Sequence, residues 1–301
     1  MTKTEQHVRD FADRIITMLE AGTRPWVQPW VDGQPSLPCQ ITGKEYTGGN
    51  VLNLWMVRTM YGFKSNHWLT YKGFTGLGGT FKKDPETGKN PKAPAFSFKV
   101  GQGKDRKRSE EKGEDVFYSF FQTKAVWNAD QIEGLPSHFY GETVQVISEA
   151  DRIAKAEAFF APVDVPVEHG CGSAYHRPKT NSVHMPDFVS FRDPVSYYAT
   201  LAHEMVHATR VESRLNRDFG RQAWGDSGYA MEELVAEIGA AMICCQLGIT
   251  PEIREDHASY VDHWVKVLKD KPKAIFTAAK HAQAAVDYLS AYSEKQTALA
   301  A

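Results

Sequence analysis

Two histidines four residues apart flank a glutamate in the stretch His203-Glu204-Met205-Val206-His207. On a helix, that spacing stacks both imidazoles on one face, where their ring nitrogens can share a metal ion. Glu204 follows the first histidine directly, where a carboxylate can reach a metal-bound water and take its proton. This H-E-x-x-H pattern suits zinc-assisted hydrolysis of a peptide bond. A plain amphipathic helix with two unrelated histidines is the reading the motif alone leaves open.

The surrounding residues predict the helix that the motif needs. Asp193-Pro194 reads as a cap followed by a first-turn residue, and no Pro or Gly follows until Gly220. Tyr198, Leu201, Ala202, Met205, Ala208 and Thr209 fall at helical spacing along one side. A catalytic zinc usually takes a third protein ligand and leaves one position open. The run Tyr229 to Cys245 reads as a second helix that can supply it. At about 100° per residue, Met231, Leu234, Val235, Ile238, Ala241, Met242 and Cys245 form the buried stripe. Glu232 falls nearly opposite that stripe, whereas Glu233 and Glu237 share its flank. Glu233 is the favoured third ligand, with Glu237 orienting a histidine through its second ring nitrogen. The reverse assignment, Glu237 as ligand, stays open. Cys244 and Cys245 point about 100° apart on a helix and read as buried free thiols.

The 301-residue chain is 42% hydrophobic and 24% charged, an ordinary globular balance whose length suggests two domains. Its four cysteines, Cys39, Cys171, Cys244 and Cys245, form no Cys-x-x-Cys pair, which disfavours a disulfide framework and fits a reducing compartment. The first residues lack the apolar core of a signal peptide, and no stretch approaches a membrane span. A soluble, cytoplasmic protein with no membrane partner is expected.

A formal net charge of −2 conceals a basic segment. From Arg58 to Arg108 there are twelve basic residues against Asp84, Glu86 and Asp105, a net +9. Val8 to Gly22 and Val51 to Tyr61 read as helices, and Phe96 to Val100 and Val116 to Phe121 as short strands. Lys82 to Pro94 and Gly101 to Gly113, rich in Lys, Gly and Pro, read as mobile basic loops. Cations interleaved with aromatics suit single-stranded nucleic acid, since the cations track phosphates and exposed rings stack on bases. The candidate contacts are Lys44, Arg58, Lys64, Lys72, Lys82, Lys83, Arg106, Lys107 and Arg108, with Trp68 as a stacking ring. Trp26 and Trp30 read as core.

Several long stretches resemble ArdC-type antirestriction proteins of conjugative plasmids, which are related to the single-stranded DNA-binding part of TraC primases. The N-terminal match runs through Leu19-Glu20-x-Gly22-x-x-Pro25-Trp26-x-x-Pro29-Trp30, then Thr42-Gly43-x-x-Tyr46-x-Gly48-x-Asn50 and Trp68-x-Thr70. Val126 to Leu135 carries the middle match. Ser173 to Pro178, His184-Met185-Pro186, Tyr197 to His207 and Tyr229 to Ala240 carry the rest. The chain departs from the family between Phe81 and Lys89, so no loop contacts transfer there, and His176 stands where the family often has Tyr. The resemblance implies an α+β protein of two domains. Residues 1–130 would form an N-terminal α/β single-stranded DNA-binding domain, 131–147 a linker, and 148–301 a C-terminal zincin-like (HExxH) metallopeptidase domain. It implies Zn2+, or another divalent transition metal, held by His203, His207 and Glu233, with Glu204 as base. It also implies protection of incoming plasmid DNA against host restriction, mainly type I, during conjugation. Tyr229, His257 and His263 are candidates by type for oxyanion support. The partners would be single-stranded DNA and either a host restriction enzyme or an unidentified peptide substrate. A strand-coating or enzyme-blocking protein with a structural metal is the competing account.

Overall fold

The structure, a computed structural model, describes residues 1–27, 36–140, 148–220, 227–249 and 260–300. Trp30, Pro29 and His257 therefore lie outside the described residues.

The chain begins with α1 (Lys3–Glu20), closed at its start by a capping box in which Thr2 and Glu5 satisfy each other's backbone amides. Its inner face carries Val8, Phe11, Ala12, Ile15, Ile16 and Leu19. Helix α2 (Gly49–Tyr61) ends on Gly62 in the left-handed conformation. Then come β1 (Trp68–Leu69), α3 (Tyr71–Gly76) and β2 (Thr80–Phe81). A long antiparallel ribbon follows, β3 (Ala95–Lys104) and β4 (Phe117–Asn128), with the short helix α4 (Arg106–Lys112) across its tip. The expected loop from Gly101 to Gly113 is thus a correction: its first part continues β3 and the rest is α4, capped by Asp105. Period-two patterning faded there because Gly101 and Gly103 contribute no side chain. At the ribbon's base β4 pairs with β1, and β2 pairs with β5 (Ile132–Glu133).

Helix α5 (Glu149–Phe160) starts on Ser148 as its cap. A three-stranded sheet follows, β6 (Val167–His169), β7 (Tyr175–Arg177) and β8 (Ser182–Met185), with β8 central, parallel to β6 and antiparallel to β7. The tight return from β7 to β8 uses Asn181 at positive φ, a position Asn tolerates. Helix α6 (Pro194–Ala208) is capped by Asp193, whose carboxylate accepts from the Ser196 amide at 2.7 Å. Helix α7 (Ser227–Leu247) runs through the interior, and α8 (Val261–Asp270) and α9 (Ala274–Ala300) close the bundle.

The largest hydrophobic core takes side chains from both halves of the sequence. Phe11 and Ile15 of α1 and Trp55 of α2 join Ile238 and Met242 of α7, Trp264 of α8 and Val286 of α9. Two smaller cores sit at the ribbon's base, one around Phe74 and Ile132, the other around Leu54, Trp68 and Val126. The mixed helix and strand composition matches the α+β expectation. Among the described residues, no helix is long and apolar enough to cross a membrane.

Candidate metal centre and nucleic-acid interface

Helices α6 and α7 approach closely because Gly239 faces Val206. A Cβ at Gly239 would stand 2.8 Å from the Val206 side chain, too close to keep this spacing. That approach brings Glu233 of α7 against the imidazoles of α6. One ligand atom from each of His203, His207 and Glu233 lies within 4.8 Å of the others. The two Nε2 atoms are 3.1 Å apart. The Glu233 carboxylate stands 3.5 Å from His203 Nε2 and 3.4 Å from His207 Nε2. All three side chains are largely withdrawn from solvent.

Glu232 orients the second histidine. His207 Nδ1 donates to Glu232 at 3.2 Å, which turns Nε2 toward the cluster as the nitrogen that a metal would take after its proton leaves. Arg217 clamps Glu232 from behind, with Nε at 2.7 Å and Nη2 at 2.6 Å from its two oxygens. The same guanidinium donates to Thr209 Oγ1 and to the Val206 carbonyl, tying the clamp to the end of α6. Burial would raise the Glu232 pKa, but the hydrogen bonds from Arg217 and His207 bring it down to about 2. Burial would also depress the His207 pKa, but the Glu233 charge and the bonds to Glu232 and Glu233 push it up to about 10. Glu233 is in turn held well below the carboxylate range by the two histidines, against its own burial.

Glu237 requires a correction. Its carboxylate accepts from Trp26 Nε1 at 2.8 Å and faces the Arg24 guanidinium at 3.5 Å. Its oxygens thus point toward the segment that follows α1 rather than into the ligand cluster. Helical spacing singled out Glu233 but misplaced Glu232 and Glu237, because α7 is buried nearly all round and all three acids are buried. A helix without a wet face gives no flank from which to rank its acids. Arg217 left no trace in the sequence, lying in a loop with no periodicity.

Glu204 is buried on α6 next to the ligand His203, near enough to His176 of β7 for its charge to act on that ring. His176 of β7 has a buried Nε2 with no hydrogen-bond partner among the described residues. Burial and the nearby His207 push its pKa down to about 4, against the pull of Glu204, so it stands neutral. Of the oxyanion candidates, Tyr229 meets Tyr260 Oη at 3.3 Å and hydrogen-bonds Glu233. His263 is exposed on α8.

The candidate DNA contacts separate by exposure. Lys44, Lys64, Lys72, Lys82, Lys83, Arg106, Lys107 and Arg108 are exposed, the last three on α4 at the ribbon tip. Trp68 is a correction: it is 1% exposed, packed with Leu54 and Val126, and cannot stack on a base. Arg58 is a second correction, because its guanidinium donates to the Phe63 and Lys64 carbonyls and to Ser36 Oγ. It closes the turn after α2 instead of waiting for a phosphate.

Residues 5–130 match the N-terminal domain of anti-restriction factor ArdC, and residues 154–281 match the zincin-like metallopeptidase family. The crystal structure of the metal-free antirestriction ArdC protein from plasmid R388 superposes with a TM-score of 0.79. It is 35% identical, and the alignment spans 96% of this chain and 98% of that one. The chain belongs to the ArdC antirestriction family. The Mn(II)-bound structure of the same R388 protein superposes with a TM-score of 0.75 at 34% identity, over 95% of this chain and 97% of that one. The uncharacterized protein y4eC of Sinorhizobium fredii is 34% identical over 96% of this chain and 94% of its own length. Two DNA primases TraC of Escherichia coli are 35% identical over 95% of this chain, which spans only 20% and 27% of their lengths. This ArdC-family chain therefore carries a zincin-like domain, whose fold implies zinc or a related divalent metal.

Proposed function

We propose that this chain is a cytoplasmic antirestriction protein that binds single-stranded DNA through its N-terminal half and carries a metal-dependent peptidase centre in its C-terminal half. The observation that carries the peptidase reading is the convergence of His203, His207 and Glu233, with Glu204 buried beside them and absent from the ligand set. Two imidazole nitrogens and a carboxylate oxygen form a donor set suited to a catalytic zinc, which leaves a coordination position for water. When bound, the cation would polarise a peptide carbonyl and acidify a water. Glu204 accepts the proton of the attacking water and passes it to the leaving amine. Glu232 and Arg217 fix the His207 tautomer, and Tyr229 restrains Glu233. The edge strand β7 lies against α6 and offers backbone groups to an extended peptide. His176, neutral and with a free ring nitrogen, is placed to hydrogen-bond that peptide. Exposed cations between Lys44 and Arg108 supply the DNA-binding charge, and incoming plasmid DNA is the object protected.

Glu204→Gln tests the enzymology. The variant should retain its zinc by elemental analysis while hydrolysis of a peptide library, followed by mass spectrometry, falls about 10²- to 10⁴-fold. A wild-type protein that takes up no divalent metal, or a variant as active as wild type, would overturn the peptidase reading. Should the variant still protect DNA fully from a type I enzyme, coating of the strand rather than proteolysis is the protective act.

A further inference from the structure

The β3–β4 ribbon has two unlike faces. On one, Phe96, Phe98 and Phe121 pack against His7 and Phe11 of α1 and Phe276 of α9. On the other, the register pairs Ser97 with Lys124, Lys99 with Gln122, Gly101 with Phe120 and Gly103 with Tyr118. Strand side chains normally stand upright from the sheet. Here they do not, because each ring faces a glycine. A Cβ at Gly101 would lie 2.7 Å from the Phe120 ring, and one at Gly103 would lie 2.7 Å from the Tyr118 ring. The missing side chains let both rings lie across the ribbon, their far ends over the opposite backbone. The two centroids are 5.8 Å apart. Tyr118 is 53% exposed, and Phe120 is half-buried. Next to them Lys99, Gln122 and Lys124 are exposed, and residues 97–103 and 118–124 contain no Asp or Glu.

We infer that this glycine-backed face is a base-stacking platform, on which Tyr118 and Phe120 each receive an unpaired base of single-stranded DNA while Lys99 and Lys124 meet its phosphates. The inference rests on the single-stranded DNA reading above and names the place where the bases sit. Recumbent rings present a π-face, which any base can use, and cations without competing carboxylates suit a polyanion. A double helix keeps its base faces stacked internally and has nothing to offer such a surface. The bland alternative is that the rings only shield the glycine backbone, as aromatic residues do in other sheets. The two accounts differ in whether binding depends on the presence of bases.

The test uses the full chain, a fluorescein-labelled oligothymidylate and an abasic oligonucleotide of the same length and charge, compared by anisotropy. Wild type should prefer the oligothymidylate by about tenfold or more, the scale of one or two stacked bases. Tyr118→Ala/Phe120→Ala should fall to the abasic level for both oligonucleotides, and Tyr118→Phe should stay near wild type. A double variant that keeps full affinity and base preference would overturn the platform while leaving DNA binding intact. Wild type that binds neither oligonucleotide would overturn the DNA reading and the platform with it. Should the double variant fold poorly by circular dichroism, 5-iododeoxyuridine crosslinking of wild type decides. Adducts on Tyr118 or Phe120 support the platform, and adducts confined to other elements refute it.

Discussion

The metal centre and the ribbon solve opposite problems. Between α6 and α7 the functional groups are largely withdrawn from solvent, and each is held by another: Arg217 holds Glu232, Glu232 holds His207, and His207 meets Glu233. On the ribbon's outer face the exposed groups have open surroundings, and position comes from backbone register and missing side chains. A buried site must satisfy each polar atom it contains, so its function depends on a chain of partners. An exposed platform needs only shape and charge. Substitution in the first region should therefore propagate, and in the second it should stay local.

The largest propagating effect is expected at Arg217. Arg217→Met leaves the Glu232 carboxylate buried without its guanidinium and with only His207 as partner, a loss of about 3–5 kcal/mol when one partner of a buried pair is removed. Urea unfolding should show that loss, and isothermal titration should show weaker zinc uptake, because His207 loses its fixed tautomer. Adding Glu232→Gln to the same chain should recover much of the stability and none of the metal affinity. Equal recovery of both would mean that Glu232 does not orient His207 and would weaken the contrast between the regions.

A smaller effect concerns protons. His207 is raised to about 10 by Glu233 and Glu232 when no cation shares the cluster. Its charged form therefore stabilises the fold fully below the ordinary histidine range near pH 6.5, and that contribution is lost as pH rises through about 10. A metal ion must displace this proton. Zinc affinity should accordingly climb about tenfold per pH unit across neutrality, with one proton released per ion. Competition with a chromophoric chelator from pH 6 to about 9 measures it. A flat profile would mean that His207 is already neutral and that the buried carboxylates do not govern the site.

Much of the centre was legible from sequence because two of its ligands share one helix, where spacing alone determines facing. The third was legible only in part. Glu233 and Glu237 are one turn apart on a helix buried all round, and what separates them is tertiary: Trp26 and Arg24, more than 200 residues away in sequence, take up Glu237. The same absence of a polar face hid Glu232, which periodicity placed toward water. In the ribbon, both strands were readable where apolar and polar residues alternate. The outer half of β3 was missed because Gly101 and Gly103, the residues that lay the rings flat, read locally as loop, whereas in β4 the tip-side half was read and the part from Gln122 to Asn128 was not. Trp68 misled for the reverse reason, since an aromatic among lysines resembles a stacking ring until the fold buries it.

The smallest expected effect lies at the ribbon tip and tests whether substitution there stays local. Arg106, Lys107 and Arg108 are exposed and open α4 behind the cap Asp105. Replacing all three with Glu puts negative charge at a helix N-terminus, where the macrodipole favours it, so α4 should persist. Thermal unfolding and zinc content should match wild type. Affinity for single-stranded DNA should fall, and the slope of log K against log salt should shallow by about 0.7 for each phosphate no longer neutralised, roughly two for all three. The preference for oligothymidylate over its abasic counterpart should survive, because the rings remain in place. A loss of base preference together with charge would mean that tip and platform hold the strand as one unit, and the exposed region would then be as interdependent as the buried one.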